Sequence, residues 1–474
     1  MTTDVKLNER NTNPAAQDPA SLAEKDQKHN LHPFAHLREY SEGRQGDPRI
    51  ITGGKGVYIE DQHGKKILDA FSGLYCVNIG YGRQEIAEAI YEQAKKVSYC
   101  HTYYTQTNEP VALLADKIID LAPDHMERVF FGMSGSDANE TNVKLVWYYH
   151  NVKGNKDKKK IIARKRGYHG STVISGSLTG LPVYHGNFDQ PFGPIRHTTA
   201  AYHYGAAEIG ESEEEFSKRC AKELEDLILE EGPDTIGAFI AEPVMGTGGL
   251  VPPPEGYWPA IQAVLEKYDV LLIADEVVTG FGRTGSMFGS IKYDIKPDLI
   301  TIAKGLTSAY IPLSGSIVSE KVSEVLKQGS DELGMFSHGY TYTGHALGAA
   351  AGLTNLKVLE DEKLIDNVVD VGDYFQKQLQ IQLAQHPIVG EVRGVGLMGA
   401  VEFAKDKDNR VPFDDDMKVN KKIADAVFEH DVIVRPMPNS CAIGIAPPFV
   451  ITKQEIDKVV GAIKESVDKV AKTL

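Results

Sequence analysis

Short apolar runs recur through the middle of this 474-residue chain, separated by longer amphipathic stretches. Uninterrupted apolar runs of this length are typical of β-strands covered on both faces, as in parallel sheets. A helix is predicted between two of them, because Ser212 and Glu215 form a capping box at its start. The alternation predicts an α/β domain with a mainly parallel sheet from about residue 83 to residue 346. The runs lie at 128–131, 160–163, 236–240, 270–273 and 298–302.

The two ends of the chain differ from this middle part. Residues 1–30 are polar, and we predict a flexible N-terminal arm there. Turn signals around Gly53 predict a small β-meander within residues 31–82. Residues 347–474 mix predicted helices and strands and end in a helix from Lys453. Because one core rarely holds so long a chain, we expect residues 83–346 to form a large domain. Residues 31–82 and 347–474 would then combine in a small α+β domain.

Composition narrows the possible partners and the compartment. The net charge of −15 repels phosphate backbones and anionic lipid, so we expect neither nucleic acid nor a membrane as a partner. No apolar run approaches the roughly 20 residues of a membrane-spanning helix. The N-terminus lacks the apolar middle of a signal peptide, and the four cysteines lack CxxC pairing. These features predict a cytoplasmic protein without disulfides.

Two segments match the G-x-G-x-x-G pattern of dinucleotide-binding proteins, one at Gly280–Gly285 and one at Gly394–Gly399. The pattern is informative only where it directly follows a strand and opens a helix. The residues after Gly285 lack helical character, and those after Gly399 are typical of a strand. We therefore interpret both segments as turns and keep a nicotinamide-dependent oxidoreductase as an alternative.

Three other segments place chemically useful groups at predicted strand ends. Ser134, Gly135 and Ser136 leave a strand and enter a helix, where backbone N–H groups and hydroxyls suit a phosphate. Alone, they are better explained by a serine N-cap. Asp275 and Lys304 each follow an apolar run, at the sheet edge where ligands bind in open α/β sheets. Either residue by itself is more simply interpreted as solvated.

Together, the three segments match the requirements of pyridoxal 5′-phosphate. That cofactor needs a lysine for covalent attachment, a carboxylate beside its ring nitrogen and a cradle for its phosphate. The carboxylate keeps the ring nitrogen protonated, so that the ring can withdraw electrons when the amino donor loses its α-proton. The sequence therefore predicts a pyridoxal 5′-phosphate site.

At these positions the chain resembles the class III pyridoxal-phosphate-dependent aminotransferases of fold type I. The resemblance covers nearly the whole chain from about His32. It implies a large domain with a mainly parallel, seven-stranded mixed sheet flanked by helices, plus a small α+β domain from both chain ends. It also implies a homodimer or a dimer of dimers with shared active sites. The motifs that carry it lie at 134–139, 167–170, 241–244, 274–285, 303–305 and 338–341.

The resemblance also implies roles for single residues. Lys304 would form the Schiff base and then move a proton between substrate and cofactor, and Asp275 would pair with the ring nitrogen. Tyr168 would stack on one face of the ring while Val277 packs on the other. The remaining cofactor contacts would come from Ser134, Gly135, Ser136, Glu242 and the partner subunit's Thr341.

Two substitutions point to a subgroup. Ornithine- and GABA-type members carry a Glu shortly after the Glu-Pro pair, which masks an Arg before the Ala-Pro-Pro segment. Thr247 and Gly444 stand at those places here. Arg435 instead resembles the arginine of omega-amino acid and amine:pyruvate aminotransferases, the omega-transaminases. Such an arginine grips a carboxylate bidentately and swings away when an amine without a carboxylate binds.

The aromatic pocket of that subgroup would be formed by Phe34, Tyr75 and Tyr168, beside Arg435. Core packing for Phe34 and Tyr75, and a surface ion pair for Arg435, are the structural alternatives. Tyr75 stands where some members carry Trp, which leaves the preferred donor open.

We expect ping-pong transfer of an amino group from a primary amine, diamine or omega-amino acid to pyruvate, which yields alanine. One alternative is the same scaffold acting on GABA, putrescine, taurine or β-alanine with a different keto acid. Another is an aminomutase or decarboxylase with the same cofactor. A non-catalytic binding protein built on an old enzyme fold is the alternative from a different class.

Overall fold

A computed structural model describes residues 19–474. The chain divides into two units, Met1–Gly54 with Tyr58–Ile67 and Lys55–Val57 with Leu68–Leu474. Residues 1–18 of the predicted arm lie outside the described residues, whereas its later part forms a helix. The domain boundaries predicted near residues 83 and 347 stay predictions.

The first unit contains helices and strands held by local hydrogen bonds. In it, Asp26 accepts hydrogen bonds from the Tyr40 hydroxyl and from Asn30, and lies 2.6 Å from His32 Nε2. The strand β3 (Lys66–Asp69) runs from this unit into the second. Before it come α1 (Pro19–His29), α2 (Leu37–Ser41), β1 (Ile51–Lys55) and β2 (Tyr58–Asp61).

The second unit is built on a seven-stranded mixed sheet in the order β4-β10-β9-β8-β7-β5-β6. Strand β10 runs antiparallel to its neighbours β4 and β9, whereas the other neighbours are parallel. All five apolar runs lie in or overlap strands of this sheet, which confirms the predicted α/β class. The strands are β4 (Met126–Gly132), β5 (Lys160–Arg164), β6 (Ile195–Thr198), β7 (Ile236–Ala241), β8 (Leu271–Asp275), β9 (Leu299–Ile302) and β10 (Ser314–Ser319).

Alternate residues of the central strands enter different cores, because side chains along a strand point to opposite faces. Ile162, Phe239 and Leu272 pack into one apolar cluster, and their neighbours Ile240 and Ile273 pack into another. Helices cover both faces, as the uninterrupted apolar runs predict. The α-helices between residues 72 and 333 are α3 (Ser72–Tyr75), α4 (Gln84–Lys96), α5 (Glu109–Leu121), α6 (Gly135–Val152), α7 (Val173–Leu178), α8 (His203–Ala206), α9 (Glu213–Glu231), α10 (Tyr257–Lys267), α11 (Gly289–Lys292) and α12 (Glu320–Leu333).

The capping box predicted before α9 is present. Ser212 Oγ accepts a hydrogen bond from the Glu215 N–H, and the Glu215 carboxylate accepts one from the Ser212 N–H at 2.9 Å. This reciprocal pair satisfies two backbone donors that a helix start otherwise leaves without partners. The predicted apolar face of α9 is confirmed, with Leu227 partly buried and the others buried: Phe216, Cys220, Leu224 and Ile228.

The C-terminal part adds helices and a second, smaller sheet in the order β11-β12-β16-β15, with β13 beside β12. Leu68 and Asp69 pair in parallel with β14. The elements are α13 (Ala346–Asp361), α14 (Leu364–Leu383), β11 (Val389–Val395), β12 (Met398–Asp406), β13 (Val411–Pro412), α15 (Val419–Phe428), β14 (Val432–Ile433), β15 (Arg435–Pro436), β16 (Ala442–Ile445) and α16 (Lys453–Ala471).

Both G-x-G-x-x-G segments are turns, as interpreted from the sequence. Gly280–Gly285 follows β8 as a run of turns, and Gly282 and Gly285 have positive φ angles of 103° and 82°. Gly394–Gly399 spans the tight hairpin between β11 and β12, which turns at Gly396 with φ 55°. Neither segment joins a strand directly to a helix, so the geometry of a dinucleotide site is absent from both. Among the helices of residues 19–474, none is long and apolar enough to cross a membrane.

Candidate active site

The carboxyl ends of β8 and β9 face a cavity of about 150 Å³. Asp275 is the last residue of β8, and Lys304 lies two residues beyond β9. Because neighbouring parallel strands end at the same edge of a sheet, residues far apart in sequence meet here. The lining residues are Gly135, Ser136, Tyr168, His169, Gly170, Glu242, Thr247, Asp275, Val277, Val278, Ala303 and Lys304.

Asp275 is buried and is held by three hydrogen bonds. Its Oδ2 accepts from Asn139 Nδ2 at 2.9 Å and lies 2.8 Å from His169 Nδ1. Its Oδ1 accepts from the Val277 N–H at 3.1 Å. Burying a carboxylate is costly unless it is hydrogen-bonded, and these contacts supply that stabilisation while fixing its orientation.

Asn139 in turn joins three parts of the site. Its Nδ2 also donates to the His169 carbonyl at 2.8 Å, and its Oδ1 accepts from Thr301 Oγ1 at 2.7 Å. Sequence reasoning did not single out Asn139 or His169, although both lie within motifs that carry the resemblance. One signal for Asn139 was available: it is a polar residue on the buried face of α6, the helix whose start meets the cavity.

Lys304 begins a single 3₁₀ turn and has a positive φ of 40°, a strained conformation for a residue with a side chain. Its Nζ lies 5.3 Å from the centre of the Tyr75 ring. Burial lowers the pKa of the Lys304 ammonium, with Cys76, Asp275 and Glu242 opposing the shift. A lowered pKa favours the free amine, which is the nucleophilic form needed for covalent attachment to a carbonyl.

The start of α6 forms one wall of the cavity. Ser134 is its N-cap: Ser134 Oγ accepts from the Asp137 N–H, and Asp137 accepts from the Ser134 N–H. Ser134 itself is not among the lining residues, whereas Gly135 and Ser136 are. A Cβ at Gly170 would lie 2.5 Å from Ser136 Oγ, so glycine is required for this close approach.

A pocket of tyrosines and one arginine adjoins the cavity. Tyr75 is buried and has a positive φ of 62°. Burial raises the pKa of Tyr75, and the neighbouring Arg435 guanidinium opposes that shift. The Tyr168 and Tyr184 rings lie 5.4 Å apart, and Arg435 also opposes the rise that burial causes in the pKa of Tyr184. Sequence reasoning missed Tyr184, because a lone tyrosine in a single 3₁₀ turn carries no pattern.

Arg435 lies directly opposite Gly444 in the pairing of β15 with β16. A Cβ at Gly444 would lie 2.6 Å from Met437 Sδ and 2.9 Å from Leu250 Cδ1, so a side chain there would displace these two side chains. No ion pair joins Arg435 to a carboxylate in the part of the chain that the structure describes. The surface ion pair considered for Arg435 is therefore absent from residues 19–474.

Ser134, Tyr75, Arg435, Thr341 and Phe34 are not among the residues that line the cavity, and the last two lie on exposed surface. Thr341 is exposed, and its carbonyl accepts a hydrogen bond from the Tyr99 hydroxyl at 2.6 Å. Phe34 belongs to the first unit and is exposed there. The roles predicted for Thr341 and Phe34 stay predictions.

Comparison with known proteins decides the family. The model of the aminotransferase class-III family matches residues 40–467. The chain belongs to the class III aminotransferases. This aminotransferase is 56% identical over 455 residues to a diaminobutyrate–2-oxoglutarate transaminase of Halomonas elongata, covering 96% of this chain and 97% of the relative. It is 43% identical over 467 residues to a putrescine–pyruvate aminotransferase of Pseudomonas aeruginosa, covering 98% of this chain and 99% of the relative.

A solved omega transaminase of Pseudomonas jessenii, in complex with PMP, matches this aminotransferase with a TM-score of 0.92. The two chains are 40% identical, and the match covers 95% of this chain and 98% of that one. The family and the neighbour confirm the predicted fold type I architecture and the enzyme class. Class III aminotransferases use pyridoxal 5′-phosphate, which confirms the predicted cofactor.

The cavity fits that cofactor on its own geometry. The N-terminus of α6, an 18-residue helix, meets it at Gly135 and Ser136, where backbone N–H groups and the helix dipole favour an anion. A Cβ at Gly135 would lie 3.0 Å from Val277 Cγ2, so the backbone there is closely packed against Val277. The carboxylate of Asp275 and the amine of Lys304 line the same cavity. The residues thus match the phosphate, ring nitrogen and aldehyde of the cofactor.

Proposed function

We propose that this aminotransferase transfers an amino group from a primary amine, diamine or omega-amino acid to pyruvate, with alanine as the product. The observation that carries this proposal is Arg435, a guanidinium beside Tyr75 and Tyr184 without a carboxylate partner in residues 19–474. An arginine there can bind the carboxylate of a keto acid bidentately. The relative named as a putrescine–pyruvate aminotransferase supports this acceptor and a diamine donor.

In this proposal, Lys304 binds the cofactor covalently and later moves a proton at the substrate's α-carbon. Asp275 holds the proton on the ring nitrogen, and Gly135 and Ser136 bind the phosphate. When bound, the cofactor supplies an electron-withdrawing ring. Tyr168 and Val277 hold that ring from opposite faces, and Tyr75 lines the donor side. The lowered pKa of Lys304 and the hydrogen bonds that orient Asp275 support these assignments.

A second candidate keeps the chemistry and changes the acceptor to 2-oxoglutarate. The Halomonas relative, at 56% identity, is named for diaminobutyrate and 2-oxoglutarate. Arg435 can bind either keto acid through the carboxylate next to the keto group, but 2-oxoglutarate brings a second carboxylate. Thr247 and Gly444 leave no charged residue at the places that resemblance assigns to the Glu–Arg switch, which favours pyruvate.

A panel of donors against both keto acids tests the proposal. Putrescine, diaminobutyrate, β-alanine, GABA and an aromatic amine without a carboxylate would each be paired with pyruvate and with 2-oxoglutarate. We expect alanine from pyruvate with at least one diamine or omega-amino acid, and a lower kcat/KM with 2-oxoglutarate. A preference for 2-oxoglutarate with every donor would refute the proposed acceptor. The variant Arg435→Met should raise the KM for pyruvate and leave the KM for the aromatic amine nearly unchanged.

We also propose that the enzyme is a homodimer in which the partner's Thr341 reaches the phosphate. The segment around Thr341 supports this, because Tyr104, Met335 and Tyr342 nearby expose apolar surface. Mixing a Lys304→Ala variant with a Thr341→Ala variant tests it. In a mixed dimer one site carries both defects and the other is intact, so activity should appear on mixing after subunit exchange. No recovery in a demonstrated mixed dimer would contradict the shared site.

A further inference from the structure

Arg166 is a partly buried arginine that lies two residues before Tyr168. Its Nε and Nη2 donate to the Gly248 carbonyl at 3.1 and 2.8 Å, and its Nη1 donates to the Asn439 carbonyl at 3.2 Å. Its guanidinium carbon lies 4.7 Å from the centre of the Tyr202 ring. Arg166 forms no ion pair with a carboxylate in residues 19–474, so its side chain is committed to two backbone carbonyls.

The first of these carbonyls belongs to the turn that brings Thr247 to the cavity. Thr247 is buried, lines the cavity and directly precedes Gly248. A Cβ at Gly248 would lie 2.1 Å from the Arg166 carbonyl oxygen, so the two backbones are in direct contact. Leu250 in the same turn has a positive φ of 52°, a strained conformation that persists only where the surroundings enforce it. The hydrogen bonds from Arg166 are part of that enforcement.

Arg393 holds the next carbonyl of the same turn. Its Nε and Nη2 donate to the Gly249 carbonyl at 2.9 and 2.7 Å, and its guanidinium lies 4.9 Å from the centre of the Tyr202 ring. Unlike Arg166, Arg393 also pairs with a buried carboxylate, 2.8 Å away at Glu402. Replacing Arg393 would leave that charge unpaired, whereas replacing Arg166 removes its hold on two carbonyls and strands no ion partner.

The second carbonyl bound by Arg166 lies at the tip of the hairpin that carries Arg435. Arg435 is the first residue of β15, and Asn439 lies in the turn between β15 and β16. The Met437 N–H donates to the Ala442 carbonyl at 2.8 Å, which closes the hairpin below its tip. Fixing the tip therefore fixes the short strand on which Arg435 stands. Arg166 thus ties this hairpin to the turn described above.

The two turns meet at the Tyr75 side chain. Burial raises the pKa of Tyr75, and contacts of its hydroxyl with Arg435 and Thr247 oppose the rise. Below the hydroxyl, Leu250 of one turn and Met437 of the other pack into the same apolar cluster as Tyr75. The spacing of the two turns therefore sets the geometry of this end of the substrate pocket.

We propose that Arg166 is a positioning residue for the carboxylate end of the substrate pocket: by binding one carbonyl of each turn, it sets the placement of Arg435 relative to Thr247. The proposal rests on the proposed role of Arg435 as the group that binds the keto-acid carboxylate. Bidentate binding of a carboxylate tolerates little displacement of the guanidinium. Arg166 itself is not among the residues that line the cavity, so it acts through the two turns.

Two other roles for Arg166 lead to different expectations. If Arg166 only stabilised the fold, its loss would affect every substrate alike. If Arg166 bound a substrate carboxylate itself, it would need donors that face the cavity. Its Nε, Nη1 and Nη2 all donate to backbone carbonyls instead.

Two substitutions of Arg166 and one matched control separate these roles. Arg166→Met removes the donors and keeps an apolar stem, whereas Arg166→Lys keeps the charge on a single ammonium that lacks the fork of a guanidinium. The control is Arg410→Met. Arg410 is also partly buried with a positive φ, lies 5.5 Å from the Tyr204 ring centre and donates to two backbone carbonyls. Those carbonyls belong to His203 and Tyr204, in neither of the two turns.

The first measurement is KM and kcat for the keto acid and for an aromatic amine without a carboxylate. Pyruvate and 2-oxoglutarate both carry a carboxylate beside the keto group, so the keto acid is whichever one the wild type accepts. In Arg166→Met we expect the KM for the keto acid to rise about tenfold and that for the amine to stay within about twofold. Arg166→Lys should lie between wild type and Arg166→Met, and Arg410→Met should resemble wild type. An equal rise for both substrates, or an unchanged KM for the keto acid, would overturn the proposal.

The same substitution in an Arg435→Met background tests whether Arg166 acts through Arg435. With no guanidinium left to misplace, adding Arg166→Met should change the KM for the keto acid by less than about twofold. A further tenfold rise would show that the two arginines act independently, which would overturn the proposal.

The second measurement is hydrogen–deuterium exchange of the holoenzyme, followed by mass spectrometry. Both turns contain backbone N–H groups that are hydrogen-bonded within the turn. We expect peptides that cover residues 246–250 and 437–442 to exchange faster in Arg166→Met than in wild type, and at the wild-type rate in Arg410→Met. Unchanged exchange in Arg166→Met would overturn the proposal. Because this readout needs neither turnover nor a particular acceptor, its failure is distinguishable from a failure to form alanine from pyruvate.

Discussion

The variant Asn139→Ala tests whether the hydrogen bonds around Asp275 hold the site together. Asn139 is fully buried, and its side chain makes three hydrogen bonds, to Asp275, to the His169 carbonyl and from Thr301. A bond to a charged acceptor contributes about 1.5–3 kcal/mol and each neutral bond about 0.5–1.5 kcal/mol. The better helix propensity of alanine returns roughly half a kcal/mol. We expect the free energy of unfolding to fall by about 3 to 4 kcal/mol.

Urea denaturation of the cofactor-free protein, at one fixed protein concentration, measures this change. Asn142→Ala is the matched control, because Asn142 lies on the same buried helix face. Its side chain donates a hydrogen bond to Thr301 Oγ1 at 2.8 Å rather than to Asp275. We expect the control to cost about 1 kcal/mol. Equal losses in the two variants would refute the argument that contact with the Asp275 carboxylate dominates.

Other parts of the structure predict further effects. Gly135→Ala should weaken pyridoxal 5′-phosphate binding by roughly tenfold without lowering the unfolding free energy. The reason is that its Cβ would lie 3.0 Å from Val277 Cγ2 and push on the cavity wall. Titration of the cofactor measures this effect, and unchanged affinity would contradict the prediction. Burial lowers the pKa of His197 to about 4, whereas the unfolded value is about 6.5. The unfolded chain therefore binds more protons in that window, and the stability that neutral His197 contributes above pH 6.5 is lost as pH falls towards 4. His197→Gln should flatten the decline of the urea midpoint between these pH values, and an unchanged slope would show that His197 titrates normally. The Glu402 carboxylate is buried and lies 2.8 Å from Arg393 Nη2. Arg393→Met should lower the unfolding free energy by about 3–5 kcal/mol, because it leaves this carboxylate without its cation. A loss below about 1 kcal/mol would argue against a buried ion pair.

The α/β class and the central sheet could be predicted because their signal is local. Strands covered on both faces need apolar residues at every position, so β7 and β8 can be recognised without knowing what they touch. Asp275 and Lys304 were found for a related reason. They follow such strands directly, and the ends of parallel strands share one edge of the sheet.

The hydrogen bonds within the site could not be predicted in the same way. Asn139, His169 and Thr301 come from a helix, a loop and a strand, and nothing in their local sequences states that they meet. Ser134 had two interpretations, and the structure makes it the N-cap of α6, which leaves the cavity wall to Gly135 and Ser136. The helix Pro19–His29 was missed because its polar composition indicates solvation and says little about backbone conformation.

The central claim is that Lys304 binds pyridoxal 5′-phosphate covalently. Reduction of the purified holoenzyme with borohydride fixes the link between lysine and cofactor, and tryptic peptide mass spectrometry then locates it. We predict a modified peptide that spans residues 293–321, because trypsin cleaves neither the Lys296-Pro297 bond nor after a modified Lys304. The modification should be absent from Lys304→Arg. Cofactor on a different lysine, or cofactor retained covalently by Lys304→Arg, would contradict the account.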